Sequence, residues 1–94
     1  MFIRLIKLNE RQSNGEVDYY LTEVSITPAQ ISYISENHQY KKMLTEGKMN
    51  IGLNMGAYFT DLRLSTNQTI TVIGSPSMIE TKILSNTNKQ LLKG

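Results

Sequence analysis

The sequence predicts a small α+β domain: a mostly antiparallel β-sheet, or a partly open barrel, of five to six short strands with one short C-terminal helix. Three observations predict it. Short apolar or alternating runs recur along the chain, as in strands. Turn signals separate them at Asn14-Gly15 and Thr66-Asn67-Gln68. Ser75-Pro76 marks the start of a helix. The 94 residues form a single domain, 1–94, because typical domains contain about 100–150 residues.

The first two strands are predicted to form a hairpin. The run 2–8 is short and largely apolar, which predicts the first strand. The polar stretch 9–15 that follows is expected to be the loop, with Asn14-Gly15 supplying positive φ at its turn. The return run 16–22 alternates, with Val17, Tyr19 and Leu21 on one face. Alternation with a period of two is typical of a half-buried strand.

A proline divides the next segment. Pro28 restricts Thr27 to an extended conformation, so the sequence predicts a turn at 28–30 followed by a short strand over 31–36. The alternative is a helical turn that begins near Pro28, with Thr27 as its N-cap and Gln30 three residues later.

Residues 37–58 are predicted to form a protruding hairpin arm or insertion. Thr45-Glu46-Gly47-Lys48 is a turn signal. After it, four apolar residues alternate with Asn and Gly; these are Met49, Ile51, Leu53 and Met55. Strict alternation favours a strand, and an apolar row that a small core cannot cover is a candidate surface for self-association. We therefore expect this row to form an interface between copies of the chain.

The last third predicts a β-hairpin and a helix. Residues 58–65 and 69–73 are rich in β-branched and aromatic residues, and Gly74 ends the second strand. The helix is expected to run for about two turns, to Leu84, with Met78, Ile79 and Ile83 on one side. Residues 85–94 are expected to be a polar tail.

The order of these elements is similar to the FlbD-like family, small proteins linked to flagella and encoded in related form by phages and mobile elements. The resemblance rests on hydrophobic spacing: Ile-x-Leu-x-x-Leu at the start, Tyr20-Leu21, the run 31–36, the run 62–72, and a Ser-Pro helix start with Ile79 and Ile83. It covers roughly two thirds of the chain and departs at 37–58, where the family has a short turn. It implies a small β-rich fold, a regulatory or accessory role, a phage or mobile-element origin, and no catalytic residues.

The composition favours a binding protein over an enzyme. The chain has no cysteine, which excludes disulfides, zinc–thiolate sites and thiol nucleophiles. Its one histidine, His38, is expected to be an exposed loop residue, and no carboxylates have the spacing of a catalytic pair. We predict no metal and no cofactor. No run of 18 apolar residues and no signal-peptide pattern are present, so we expect a cytoplasmic protein without membrane contact.

A basic and aromatic group in the middle of the chain is the candidate ligand site. Lysines and tyrosines combine charge with stacking, and glycine amides can cradle an anion; the residues are Tyr40, Lys41, Lys42, Lys48, Gly52, Gly56 and Tyr58. The spacing is not that of a P-loop, because Met49 follows Lys48. A net charge of +2 is small for nucleic-acid binding, so a nucleic-acid partner is less favoured than a small anionic nucleotide.

Two functional hypotheses follow. The first is a non-enzymatic accessory or regulatory protein, encoded by a phage or mobile element, that acts through contacts with a protein partner and through homo-oligomerisation. The second is a small-ligand binder that sequesters an anionic or cyclic nucleotide, as some phage counter-defence proteins do.

Overall fold

The computed structural model describes the backbone of residues 2–93 and the side chains of residues 2–85. Its elements are β1 (Ile3–Ser13), β2 (Glu16–Ile26), a 3₁₀ turn (Pro28–Gln30), β3 (Ile31–Glu36), α1 (His38–Thr45), β4 (Phe59–Leu64), β5 (Thr69–Ile73) and α2 (Pro76–Lys93). The strands form an open sheet in the order β2-β1-β5-β4-β3, and every pairing is antiparallel. The α+β class with an antiparallel sheet is thereby confirmed, whereas a sixth strand and a partly closed barrel are not.

The sheet carries a hydrophobic cluster on each of its two faces. One cluster joins β1, β2, β4 and β5 to α2 through Leu5, Ile26, Leu62, Val72 and Ile79. The other joins Phe59 of β4 and Leu8 of β1 to α1 and to the loop 46–58. Because successive side chains of a strand point to opposite faces, β4 contributes Phe59 to one cluster and Leu62 to the other. A single strand therefore contributes buried side chains to both layers of the protein.

Local chemistry explains the turns and the start of α2. Asn14 and Gly15 both have positive φ, 53° and 79°, which is the geometry of a type I′ hairpin turn. Asn67 has φ 70° in the turn between β4 and β5. The backbone N–H of Met78 donates to Ser75 Oγ at 3.2 Å, so Ser75 is the N-cap of α2 as expected. The strand over 31–36 is also confirmed. The turn before it is a short 3₁₀ helix over Pro28–Gln30 with Thr27 at its N-cap position, so the helical alternative describes this turn, although the Thr27 side chain forms no capping hydrogen bond.

Residues 37–58 do not contain the expected hairpin of strands. They form α1 and the irregular loop 46–58, and both pack on the Phe59 face of the sheet. The alternation from Met49 to Met55 is interrupted at Gly52, whose φ of 74° is outside the strand region. The hairpin that protrudes is instead formed by β1 and β2. Their strands continue through the polar stretch 9–13 up to the turn.

The C-terminal helix is longer than predicted. It continues beyond Leu84 to Lys93, so the expected tail is helical up to that residue. Ile79 is buried and Ile83 packs against the same cluster, whereas Met78 is half exposed. Within residues 2–93, neither helix is long and apolar enough to cross a membrane.

We predict that truncating Leu62 destabilises the protein strongly. Its side chain is 0% exposed, so Leu62→Ala should lower the free energy of unfolding by about 2–5 kcal/mol through lost burial and a residual cavity. The matched control is Leu84→Ala, since Leu84 is 60% exposed and its truncation should change stability by no more than about 0.5 kcal/mol. Urea denaturation measures both. Equal effects of the two substitutions would contradict this assignment of the core.

Candidate binding surfaces

Two of the seven predicted ligand residues come into direct contact. Lys41 lies on α1 and Tyr58 directly precedes β4. The Lys41 ammonium lies 3.7 Å from the centroid of the Tyr58 ring and donates a hydrogen bond to the carbonyl of Ala57 at 3.3 Å. A cation over an aromatic face is attracted by the ring quadrupole. The contact fixes the lysine beside an aromatic ring that is still 43% exposed, so charge and a stacking surface lie together.

Tyr40 is a core residue and not an open stacking surface. Its ring contacts Tyr19 at 6.0 Å and Phe59 at 5.9 Å between centroids, and it packs in the second cluster. Burial raises the pKa of Tyr40, and the nearby charges of Glu10, Tyr19 and Asp61 raise it further. Burial also raises the pKa of Tyr19, together with Glu10. Both phenols are therefore held in the neutral form.

The remaining predicted ligand residues are not gathered around Lys41 by any contact in the described part of the chain. Lys42 is exposed on α1. Lys48 forms an ion pair of 3.3 Å with Glu46, which neutralises part of its charge. Gly52 has open space around it. The amide of Gly56 donates to the side chain of Asn54 at 2.8 Å, so that amide is already occupied.

The predicted interface row is used largely by the chain's own core. Met49 is 4% exposed, and Ile51 and Leu53 pack against the same cluster as partly buried residues. Met55 differs from these three, because it is 61% exposed. Of the four residues, Met55 alone presents most of its side chain for contact with another molecule.

A polar network that the sequence analysis missed holds α1 on the sheet. The Asn37 side chain accepts a hydrogen bond from the Tyr40 amide at 3.0 Å and therefore caps the helix. Its amide nitrogen donates to both oxygens of Asp61 at 3.2 Å, and the Thr71 hydroxyl donates to the same carboxylate. Asn37 before apolar residues at 40, 43 and 44 was the available signal for this helix. Asp61 is thus committed to holding structure together.

His38 is exposed, as expected, but it is the first residue of α1 and not part of a loop. Its Nδ1 lies 3.0 Å from a Glu36 oxygen. Among the residues that the structure describes, no group of three or more His, Asp or Glu side chains could hold a metal ion.

The outer hairpin, defined here as residues 9–20, extends beyond the rest of the sheet. β1 pairs with β5 only at Lys7 and Leu8, so beyond Leu8 the two strands pair only with each other. Residues 10–18 are all exposed. On one face, Arg11 forms an ion pair with Asp18 at 3.6 Å and lies 5.2 Å from the centroid of the Tyr20 ring. Val17 and Tyr20 are 43% and 41% exposed on this projection.

A pocket of 420 Å³ lies near the start of α2, where β1 and β5 are no longer paired. Ile6, Ile73 and Met78 provide apolar walls, and Arg4 and Lys82 provide charge. Both cations already have partners, because Arg4 forms an ion pair with Glu23 at 3.3 Å and Lys82 donates to the Arg4 carbonyl at 3.2 Å. The pocket is therefore an apolar groove with a charged rim.

Comparison with known proteins adds no relative. No family model, no curated protein and no solved structure matches the chain. The resemblance to the FlbD-like family therefore stays a prediction.

We predict that Tyr40 makes the protein sensitive to alkaline pH. Its pKa is raised above the usual 10.0, so as the pH rises past that value the unfolded chain loses the phenol proton before the folded chain does. The stability contributed by the neutral phenol is complete below pH 10 and is lost as the pH rises through the raised pKa. Tyr40→Phe should therefore reduce the fall in unfolding free energy above pH 10, measured by urea denaturation at a series of pH values. Parallel curves for the two proteins would refute this.

Proposed function

We propose that the protein is a non-enzymatic accessory or regulatory binding protein that acts through protein–protein contacts and self-association. The observation that carries the proposal is the outer hairpin, which is ordered although its residues 10–18 are exposed and contribute nothing to either hydrophobic cluster. A phage or mobile-element origin belongs to the same proposal and is supported by the FlbD-like resemblance alone.

The physical argument concerns the cost of ordering the outer hairpin. Fixing the backbone of a residue costs about 1–2 kcal/mol, and a two-stranded ribbon without a covering layer is only marginally stable in water. The ion pair and cation–π contact of Arg11 are exposed and offset little of that cost. Residues 10–18, which the chain does not use for burial, are suited to contact another molecule; Tyr20 beside them supplies an aromatic anchor on one face of the hairpin, and Val17 supplies apolar surface on the opposite face.

The test replaces both anchors with lysine. Val17→Lys with Tyr20→Lys should leave the fold intact because neither side chain packs in a hydrophobic cluster. The tagged protein is purified from its native cell, and proteins that co-purify are identified by mass spectrometry. The affinity of the main captured partner, measured with purified components, should fall at least about tenfold in the variant, as expected for the loss of a hot-spot aromatic residue.

The matched control adds the same charge elsewhere. Ser65→Lys with Thr66→Lys places two lysines on exposed residues of the β4–β5 turn, and binding should be unchanged. If the partner binds the outer-hairpin variant and the wild type equally well, the outer hairpin is not the contact surface and the proposal loses its main support.

A second candidate function rests on the Lys41–Tyr58 contact. A purine or pyrimidine base could stack on Tyr58 while Lys41 and the exposed Lys42 attract a phosphate. This arrangement supports sequestration of an anionic or cyclic nucleotide, the role of a counter-defence protein, although Lys48, Gly52 and Gly56 are not gathered at the same place. It stands behind the first proposal for that reason.

Calorimetry against a panel of linear and cyclic nucleotides tests the second candidate. Binding should be weakened by Tyr58→Ala about tenfold, since stacking of one base contributes about 1–3 kcal/mol. Tyr33→Ala is the matched control, because Tyr33 is an exposed tyrosine on the edge strand β3, whereas Lys41 contacts Tyr58. The absence of heat at millimolar nucleotide would end this candidate without affecting the first.

A further inference from the structure

The backbone of β3 has free hydrogen-bonding groups at the edge of the sheet. The Asn37 amide donates to the Phe59 carbonyl at 2.8 Å, one step beyond the pair Glu36 and Thr60. Bonded and non-bonded pairs alternate along an antiparallel ladder. Glu36 and Ile34 therefore belong to non-bonded pairs, and their N–H and C=O groups point away from β4. Since β3 is the last strand of the sheet, these groups face outward.

The two free edges of the sheet differ in charge. β2 carries three acidic residues and no basic one, namely Glu16, Asp18 and Glu23, so two β2 strands placed side by side would bring like charges together. β3, in contrast, has a single charged residue, Glu36, at its end. It also lacks the lysine or proline with which exposed edge strands are commonly protected, and its one register shift lies between Ile31 and Tyr33, before the regular stretch that ends at Glu36. Of the two edges, β3 is the one that is compatible with a second copy of itself.

Apolar surface continues from this edge towards α2. A pocket of 330 Å³ lies between β3 and α2, with Ile31 and Ile34 on the strand and Glu80 and Ile83 on the helix. Ile34 lies on the α2 face of the sheet, where it packs against the first cluster as a partly buried residue. A strand added at the edge of β3 would extend this face and cover the open side of Ile34.

We propose that β3 pairs antiparallel with β3 of a second copy, around a two-fold axis at Ile34. This inference rests on the self-association in the proposed function and assigns its interface. A two-fold interface uses the same patch on both copies, and this register lets the outward N–H and C=O groups of both Ile34 residues bond each other. It places the two Ile34 side chains together and Tyr33 opposite Ser35, and Ser32 remains at the register shift between Ile31 and Tyr33, outside this regular part of the pairing. Shifting the axis to Ser35 would instead place Ile34 opposite Glu36, an apolar residue against a charge.

The first experiment measures self-association of the full chain by analytical ultracentrifugation. The edge variant, Tyr33→Lys with Ser35→Lys, changes two exposed residues of β3 and places lysines opposite lysines across the axis, so the dimer dissociation constant should rise at least about tenfold. The control, Thr22→Lys with Ser25→Lys, adds the same charge to exposed residues of β2 and should dimerise like the wild type. Circular dichroism confirms that both variants are folded.

The second experiment tests the register by cross-linking. Because the chain has no cysteine, introduced thiols report only on designed positions. In the proposed register, residues 33 and 35 of different copies form a non-bonded pair with Cα atoms about 4.5 Å apart, within the range of a disulfide. Tyr33→Cys with Ser35→Cys should give a covalent dimer on mild oxidation, whereas Ser35→Cys alone should not. Efficient dimer formation by Ser35→Cys alone would overturn the register at Ile34.

The possible outcomes distinguish the assignment of β3 as the interface from the proposal that the protein self-associates. A dimer that the β2 variant disrupts and the β3 variant preserves would overturn the β3 assignment and leave self-association standing. A wild-type protein that remains monomeric at several hundred micromolar would overturn both. A monomer that loses a captured protein partner in the β3 variant would show that the occupant of this edge is another protein and not a second copy.

Discussion

The fold depends on the burial of β4 from both of its faces. Phe59, Thr60 and Leu62 are all 0% exposed, although neighbours in a strand point to opposite sides. Phe59 requires a layer on one face, and Leu62 requires another on the opposite face. Even the polar residue between them is satisfied, since the Thr60 hydroxyl donates to the Gly74 carbonyl at 2.7 Å. An isolated sheet with one covering helix could not bury this strand, so the chain must supply a second layer.

Residues 37–58 provide that second layer, and this determines where the candidate ligand residues lie. α1 is tied to β4 by Asn37 and Asp61, and Met49 fills the cluster around Phe59. The exposed side of the same segment carries Lys41 against Tyr58. The apolar and the basic residues of this segment therefore have different roles: the first complete the core, and the second are left at the surface, where a ligand could reach them.

The sequence predicted the structure correctly where a few neighbouring residues determine the local conformation. The Asn14-Gly15 turn, the β4–β5 hairpin and the Ser75 cap each follow from a few neighbouring residues. It was misleading where distant residues decide. The row from Met49 to Met55 has a strand-like pattern, but it forms a loop in which Met49, Ile51 and Leu53 pack against the cluster around Phe59. In the outer hairpin only Tyr19 reaches a cluster, and residues 10–18 are exposed, so the polar stretch 9–13 gave no apolar signal for the strand that it forms. Neither the β3 edge nor its register was visible before the strand order was known.

The proposed surfaces are mutually compatible because β2 and β3 are opposite edges of one sheet. Two chains joined through β3 would leave both outer hairpins, which belong to the β1–β2 edge, far from the shared axis and free. Such a dimer would present two copies of the same contact surface. A partner with repeated sites would then be bound with an avidity that exceeds the affinity of either hairpin, because the second contact becomes intramolecular. An accessory protein of this size could hold a repetitive or oligomeric partner even if each outer hairpin bound it weakly, and that advantage would disappear if β2 were the edge used for self-association.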